Sequence, residues 1–292
     1  MFSLKKTAAL ALTVVALFTM VPFKTLAASA NGWNKDGAYW YYYENGTRKT
    51  GWLKDGGKWY YLNKNGVMNQ DIFLVEIDSK KYSFDSSGAM RSKQIVKYSI
   101  GKEQDGKEYF LHAYVKADGS AVTGWKKISG KWYYFNPDCT TNPLGYFVVD
   151  GNKYINSNKG YIVQNGWGYV PFKLPDGSFT YYYAGPDGEL CEGWKKVSGK
   201  WYYLKPYMLR GLFGDNGKVY YLDKSGAMKT GWVDVDGRWY YFDKSGEGHN
   251  GWVGKKEYYC TQGLMIRDGY FEVEGVMYYF DKDGHPSLAS GK

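Results

Sequence analysis

Apolar and aromatic residues recur along this chain in short alternating runs, separated by Gly-, Asp- and Asn-rich segments. The stretch Gly231–Met265 shows the pattern most fully. Gly231-Trp232 opens one short strand, and Arg238-Trp239-Tyr240-Tyr241-Phe242 forms a second. At period two, Trp239 and Tyr241 share one face of that strand, and Tyr240 and Phe242 share the other. An Asp-Gly pair lies between the two runs, and Asp243-Lys244-Ser245-Gly246 follows them, both strong turn signals. The predicted unit is a β-hairpin, and Gly251-Trp252 begins the same pattern again.

Aromatic strands of the type Gly-x-Trp-Tyr-Tyr return about every 20 residues, about twelve times in all. A lone hairpin has no second layer on which to bury either face, and stacking the next hairpin supplies one. The predicted fold is therefore all-β, a solenoid of stacked hairpin repeats. First strands come in two kinds. Six carry Gly-Trp, with the indoles at Trp33, Trp52, Trp125, Trp194, Trp232 and Trp252. Others, within 71–80, 145–152, 210–218 and 269–276, put smaller or non-indole apolar residues there. Insertions enlarge units around residues 94–108 and 161–179. No Pro/Ser-rich linker interrupts the series, so residues 31–292 are expected to form one repeat domain.

Residues 1–30 are expected to be a secretory signal peptide. Lys5 and Lys6 precede an apolar stretch from Thr7 to Phe18, and Leu26-Ala27-Ala28-Ser29-Ala30 offers small-residue cleavage sites. Removing Lys5, Lys6 and Lys24 with this leader lowers the net charge from +9 to +6. That excess is dispersed, which argues against a nucleic-acid partner and favours approach to an anionic polymer. No second long apolar run suggests a membrane span, so a secreted, surface-associated protein is expected. Cys139, Cys191 and Cys260 are odd in number and far apart, unlike a disulfide framework. His112, His249 and His285 are scattered, and no nucleophile or metal-binding motif accompanies them. Most acids occupy turn positions. The sequence thus points to no enzyme activity, no metal and no cofactor.

The motifs GWLKDGGKWYYLNKNGVM (51–68) and TGWVDVDGRWYYFDKSG (230–246) resemble the cell-wall-binding, or choline-binding, repeats of Gram-positive surface proteins. They are similar also to clostridial toxin repeats and to streptococcal glucan-binding repeats. The resemblance implies a β-solenoid with ligand sites between successive hairpins, holding the phosphocholine of teichoic acid. Two walls of each site would be the Trp of Gly-Trp and the Trp of Trp-Tyr-Tyr. The third would be the second Tyr of the following unit. Carried onto this chain, the pattern gives three complete cages: Trp33, Trp40 and Tyr61; Trp194, Trp201 and Tyr221; Trp232, Trp239 and Tyr259. The pairs Trp52–Trp59 and Trp125–Trp132 would be weaker, because their third positions fall on Ser83 and Ile155 unless Tyr82 or Tyr154 swings in. Trp252 has Glu257 where its second Trp would be. Met68, Met228 and Met265 are candidate floors. A glycan stacking on the same aromatic faces is the alternative ligand.

Overall fold

The computed structural model describes residues 31–102, 106, 108–143, 145–175 and 177–289, with no account of the side chains of 171–173. The expected leader lies outside this range. Among the described residues there is no helix, and twelve antiparallel hairpins follow one another in chain order. The all-β hairpin-repeat fold is as expected. The chain separates into two compact units, residues 31–72 with 84–90, and residues 73–83 with 91–289.

Local sequence explains each hairpin. In the pair Gly231–Val235 and Arg238–Phe242, Val235 sits opposite Arg238, leaving a two-residue loop. Both loop residues have positive φ, 54° at Asp236 and 79° at Gly237. This is the turn whose twist matches that of antiparallel strands, and Asp-Gly is well suited to it. Asp234 Oδ1 accepts the Gly237 N–H at 2.8 Å, fixing the loop further.

The core is thin, a few buried residues per hairpin. The position closing each aromatic strand is essentially sealed from solvent: Leu62, Phe135, Leu204, Leu222, Phe242 and Phe280 are at most 1% exposed. Cys260 takes this position in its hairpin and is a free thiol. Burial pushes its pKa up to about 12, so it stays neutral and serves as a small apolar residue. Each sealed Phe or Leu contributes roughly 1.5–3 kcal/mol.

Successive hairpins are tied by one recurring backbone hydrogen bond. The residue after each second turn donates its N–H to the second strand of the preceding hairpin. In the first unit Met68 bonds to the Trp40 carbonyl and Met90 to that of Trp59, at 2.8 and 2.7 Å. In the second unit the series runs through Thr141 to His112, Ile162 to Trp132, Leu190 to Lys153, Met208 to Tyr181 and Met228 to Trp201. Gly248 to Val219 continues it at 2.7 Å. Within the second unit this regular step makes the hairpins a solenoid.

Met228 also fixes the next turn. Gly246 has φ +86°, and a Cβ there would collide with the Met228 side chain. The same pairing joins Met68 to Gly88 in the first unit and Met208 to Gly226 in the second. Gly246→Ala therefore adds left-handed strain of about 1–2 kcal/mol to a steric clash. The denaturation midpoint should fall accordingly. Combined with Met228→Ala, the two losses should sum to less than additive by about 1 kcal/mol, since the clash is shared.

His112 is 6% exposed, and its Nδ1 is buried without a hydrogen-bond partner. Desolvation, with Lys97 nearby, lowers its pKa. The unfolded chain therefore takes up a proton that the folded chain refuses. Stability is present in full above the unfolded value of about 6.5 and is lost as pH falls below it. Thermal unfolding between pH 7 and 5 should show this decline, and His112→Phe should flatten it.

Candidate functional site

Strand register builds each site. Trp232 sits directly opposite Tyr241, and Trp239 lies two residues back along the same face. The Trp232 and Trp239 rings stand 6.5 Å apart, nearly perpendicular at 83°. Trp194 and Trp201 repeat this at 6.5 Å and 86°. The inner indoles, Trp194 and Trp232, are half-buried, while Trp201 and Trp239 are exposed outer walls.

The third wall comes from the following hairpin, but it is the first tyrosine of the pair and not the second. Tyr60 approaches Trp33 at 4.9 Å, Tyr220 approaches Trp194 at 4.8 Å, and Tyr258 approaches Trp232 at 5.1 Å. The expected third walls Tyr61 and Tyr259 instead pack on Trp52 and Trp252 of their own hairpins, each at 5.1 Å. Tyr221 lies 6.3 Å from Phe242 of the next hairpin. Parity is the cause. Each hairpin turns its Trp/second-Tyr face toward the next hairpin, which presents its first-Tyr face in return. The cages are thus Trp33–Trp40–Tyr60, Trp194–Trp201–Tyr220 and Trp232–Trp239–Tyr258. Their cavities measure about 320, 280 and 310 Å³ and are lined also by Met68, Met228 and Met265 respectively.

The same parity completes a fourth set. Trp125 lies 6.3 Å from Trp132 and 5.0 Å from Tyr154, while Ile155 is wholly buried in the core. The gap expected at Ile155 is therefore closed without any rearrangement of Tyr154. Trp52 and Trp59 stand 6.3 Å apart at 89°, and Ser83 is fully buried. Trp252 packs edge-on against Tyr259 and Tyr278, and Lys256 Nζ lies 5.6 Å over its ring, so a cation of the chain itself covers this indole.

Sequence reasoning missed two sets of residues. Asp55 Oδ2 accepts the Trp33 indole N–H at 2.9 Å, and Asp215 Oδ2 accepts that of Trp194 at 3.1 Å while its Oδ1 accepts the Tyr203 hydroxyl. An Asp 21 or 22 residues after a Gly-Trp tryptophan, ending the next first strand, is the signal. The other is Trp167, in the segment read as an insertion. It stands 5.1 Å from Tyr183 and 5.0 Å from Tyr202 of the next hairpin.

The cages differ in charge. Lys35, Lys127 and Lys196 each place Nζ 5.7–5.8 Å from the centroid of the outer Trp opposite them. At Trp239 the opposite residue is Asp234, and Asp283 lines the same cavity. A cation without hydrogen-bond donors is held by aromatic faces at about 0.5–2 kcal/mol per contact. A resident lysine opposes such a guest, whereas carboxylates favour it.

Fold and geometry define a class: an all-β hairpin-repeat protein with three-walled aromatic cages between successive hairpins. Residues 50–68, 123–138, 192–206, 213–228 and 230–247 match the family model of the cell wall binding repeat. These five segments are similar to cell wall binding repeats. Glucosyltransferase-S of Streptococcus mutans serotype c is 28% identical over 193 residues, which cover 64% of this chain and 12% of that protein. This chain thus spans a small part of that relative's length. Among solved structures, choline binding protein F of Streptococcus pneumoniae, in the presence of a peptidoglycan analogue, is 28% identical. The match covers 89% of this chain and 94% of that one, with a TM-score of 0.45. The modular autolysin LytC of Streptococcus pneumoniae is 27% identical over 88% of this chain and 53% of that one, with a TM-score of 0.47.

Parity is directly testable with tetramethylammonium, followed by fluorine resonances of 5-fluorotryptophan-labelled protein. Tyr258→Ala should weaken binding at Trp232 and Trp239 by about 2- to 30-fold, the worth of one wall. Tyr259→Ala should leave that site within about twofold. In the parent protein the Trp232–Trp239 site should fill before the Trp194–Trp201 site, and Lys196→Gln should narrow the difference.

Proposed function

We propose that this protein binds a quaternary ammonium group of the choline class in its cages, and that this attaches it to choline-bearing polymers of a bacterial wall, such as teichoic acid. The observation that carries the reading is the recurrence of one geometry at four sites. In each, an inner Trp, an outer Trp 6.3–6.5 Å away where measured, and a Tyr 4.8–5.1 Å away come together, and three of the sets line a surface cavity. A trimethylammonium group has no N–H to donate, so such walls suit it better than a polar pocket would. Several weak sites on one chain also act together on a polymer, raising retention well above single-site affinity.

The protein would act outside the cell by binding and not by catalysis, as a surface adhesin or as a modulator of wall enzymes. The second reading, a glycan stacked on the same faces, is favoured by the match to Glucosyltransferase-S. Choline titration followed by Trp fluorescence separates the two. The choline reading expects saturation in the millimolar range and retention on choline-agarose, with elution by free choline. Replacing Trp194, Trp201, Trp232 and Trp239 with Ala should abolish most of that retention. A folded protein that ignores choline yet is captured on a glycan array would overturn it. Clearing of a cell-wall substrate in a zymogram would overturn the non-catalytic role.

A further inference from the structure

One cavity of the second unit is not one of the Trp–Trp cages. It measures about 610 Å³, roughly twice the volume of each of those, and lies between the hairpin of Gly166–Lys173 with Phe179–Ala184 and that of Gly193–Val197 with Lys200–Leu204. Its backbone plan is that of a cage. Trp167 takes the inner position opposite Tyr183, and Tyr202 supplies the wall from the next hairpin at 5.0 Å. Tyr181 takes the outer position, and its carbonyl accepts the Met208 N–H as that of Trp201 accepts Met228. The outer indole is therefore a phenol here, and the longer strands bring Phe179 and Ser178 to the rim.

The charge is reversed relative to the Trp232 cage. Arg210 reaches into the lining with its guanidinium held in place. Its Nη1 donates to Ser178 Oγ at 2.8 Å, its Nη2 to the Phe179 carbonyl at 3.2 Å, and its Cζ lies 5.9 Å over the Tyr181 ring. The Arg210 Nε is buried with no hydrogen-bond partner among the described residues, so it is the two Nη groups that face outward toward the Ser178 rim. Lys224 stands on the lining as well, and among the described lining residues none is acidic. Asp223, its neighbour in sequence, has its Oδ1 engaged by Ser225 and Ala227. A quaternary ammonium entering here would meet the fixed Arg210 guanidinium and the Lys224 ammonium. A planar guanidinium beside flat aromatic faces instead suits a ring that stacks and carries an oxyanion.

We propose that the Trp167–Tyr181–Tyr202–Arg210 cavity binds a saccharide bearing an anionic substituent, carboxylate or phosphate, and not the cation held by the Trp–Trp cages. The site is independent of the choline reading, because its ligand, charge and walls all differ.

The test uses the full chain, labelled with 5-fluorotryptophan and saturated with choline, with the Trp167 resonance assigned through Trp167→Phe. Glucuronate, glucose 6-phosphate and glucose are titrated separately. At least one charged sugar should move the Trp167 resonance with an affinity about fivefold or more above that of glucose, the scale of a charge-assisted hydrogen bond. Whichever charged probe binds identifies the substituent. Arg210→Gln should remove that preference while the Trp232 response to choline is unchanged. Because Arg210 also holds Ser178 and Phe179, the exposed Lys224→Gln is the second variant, expected to weaken the charged sugar about twofold. Glucose binding as tightly as both charged probes, or no charged sugar binding at 20 mM concentrations (roughly the weak-site limit), would overturn the proposal. So would charged-sugar affinity unchanged in both variants, or choline shifting Trp167 as strongly as Trp232. A choline-indifferent protein that still binds the charged sugar would sink only the function proposed above.

Discussion

One backbone hydrogen bond per step governs the sites in each unit. The N–H of Met228 reaches back to the carbonyl of Trp201, and Met68 does the same to Trp40. The acceptor belongs to the outer wall of a cage and the donor to the residue that lines it from the following hairpin. A single bond at 2.8 Å thus fixes the distance between wall and lining. The Met side chain then lies against the turn glycine of the next hairpin, Gly246 or Gly88, where no Cβ fits. Stacking and cage assembly are consequently the same event, and the spacing of aromatic walls follows from backbone geometry more than from ring–ring attraction.

With the frame fixed in this way, individual side chains decide what each step can hold. The Trp232 step has Asp234 and Asp283 beside its walls, whereas the Trp194 step has Lys196 over its outer indole. At Trp252 the loss of the outer indole at Glu257 is joined by Lys256 lying over the ring, so the chain supplies its own cation there. The Trp167 step goes furthest, replacing the outer indole with Tyr181 and setting Arg210 against it. One repeat plan therefore carries steps lined by carboxylates, steps with a lysine over the indole, and a step with an arginine against its outer ring.

The hairpins, their two-residue turns and the Trp–Trp pairing were legible because each depends on local pattern: alternation at period two, and Asp-Gly or Ser-Gly where φ must be positive at both loop residues. The third wall was not legible from the copied motif, since Tyr60 and Tyr61 are adjacent and the resemblance pointed to the second. The alternation alone would have resolved it. Tyr240 and Phe242 share a face, so the tyrosine that meets the preceding hairpin must be the one two residues from the buried core position. Trp167 was hidden for a different reason. Its hairpin is lengthened, with a register shift between Val170 and Lys173, so the seven-residue spacing between aromatic walls no longer appears in sequence. Asp55 and Asp215 act across hairpins and leave no local periodic trace.

A core of only a few buried residues per hairpin makes each interface modest. The sealed Phe242 or Leu222 supplies only a few kcal/mol, and in a stack of this kind stability is close to a sum of neighbouring interface contributions. The cages sit in those same interfaces, with walls drawn from two hairpins. A guest held by Trp194 and Trp201 on one side and Tyr220 on the other therefore adds to the interface that the Leu204 and Leu222 positions already stabilise. At ligand concentrations a hundredfold above Kd the gain per site is about 2.7 kcal/mol, comparable to one buried core residue. On the proposed reading, the exposed outer indoles, unfavourable as free surface, are half of an interface that a bound ligand would complete.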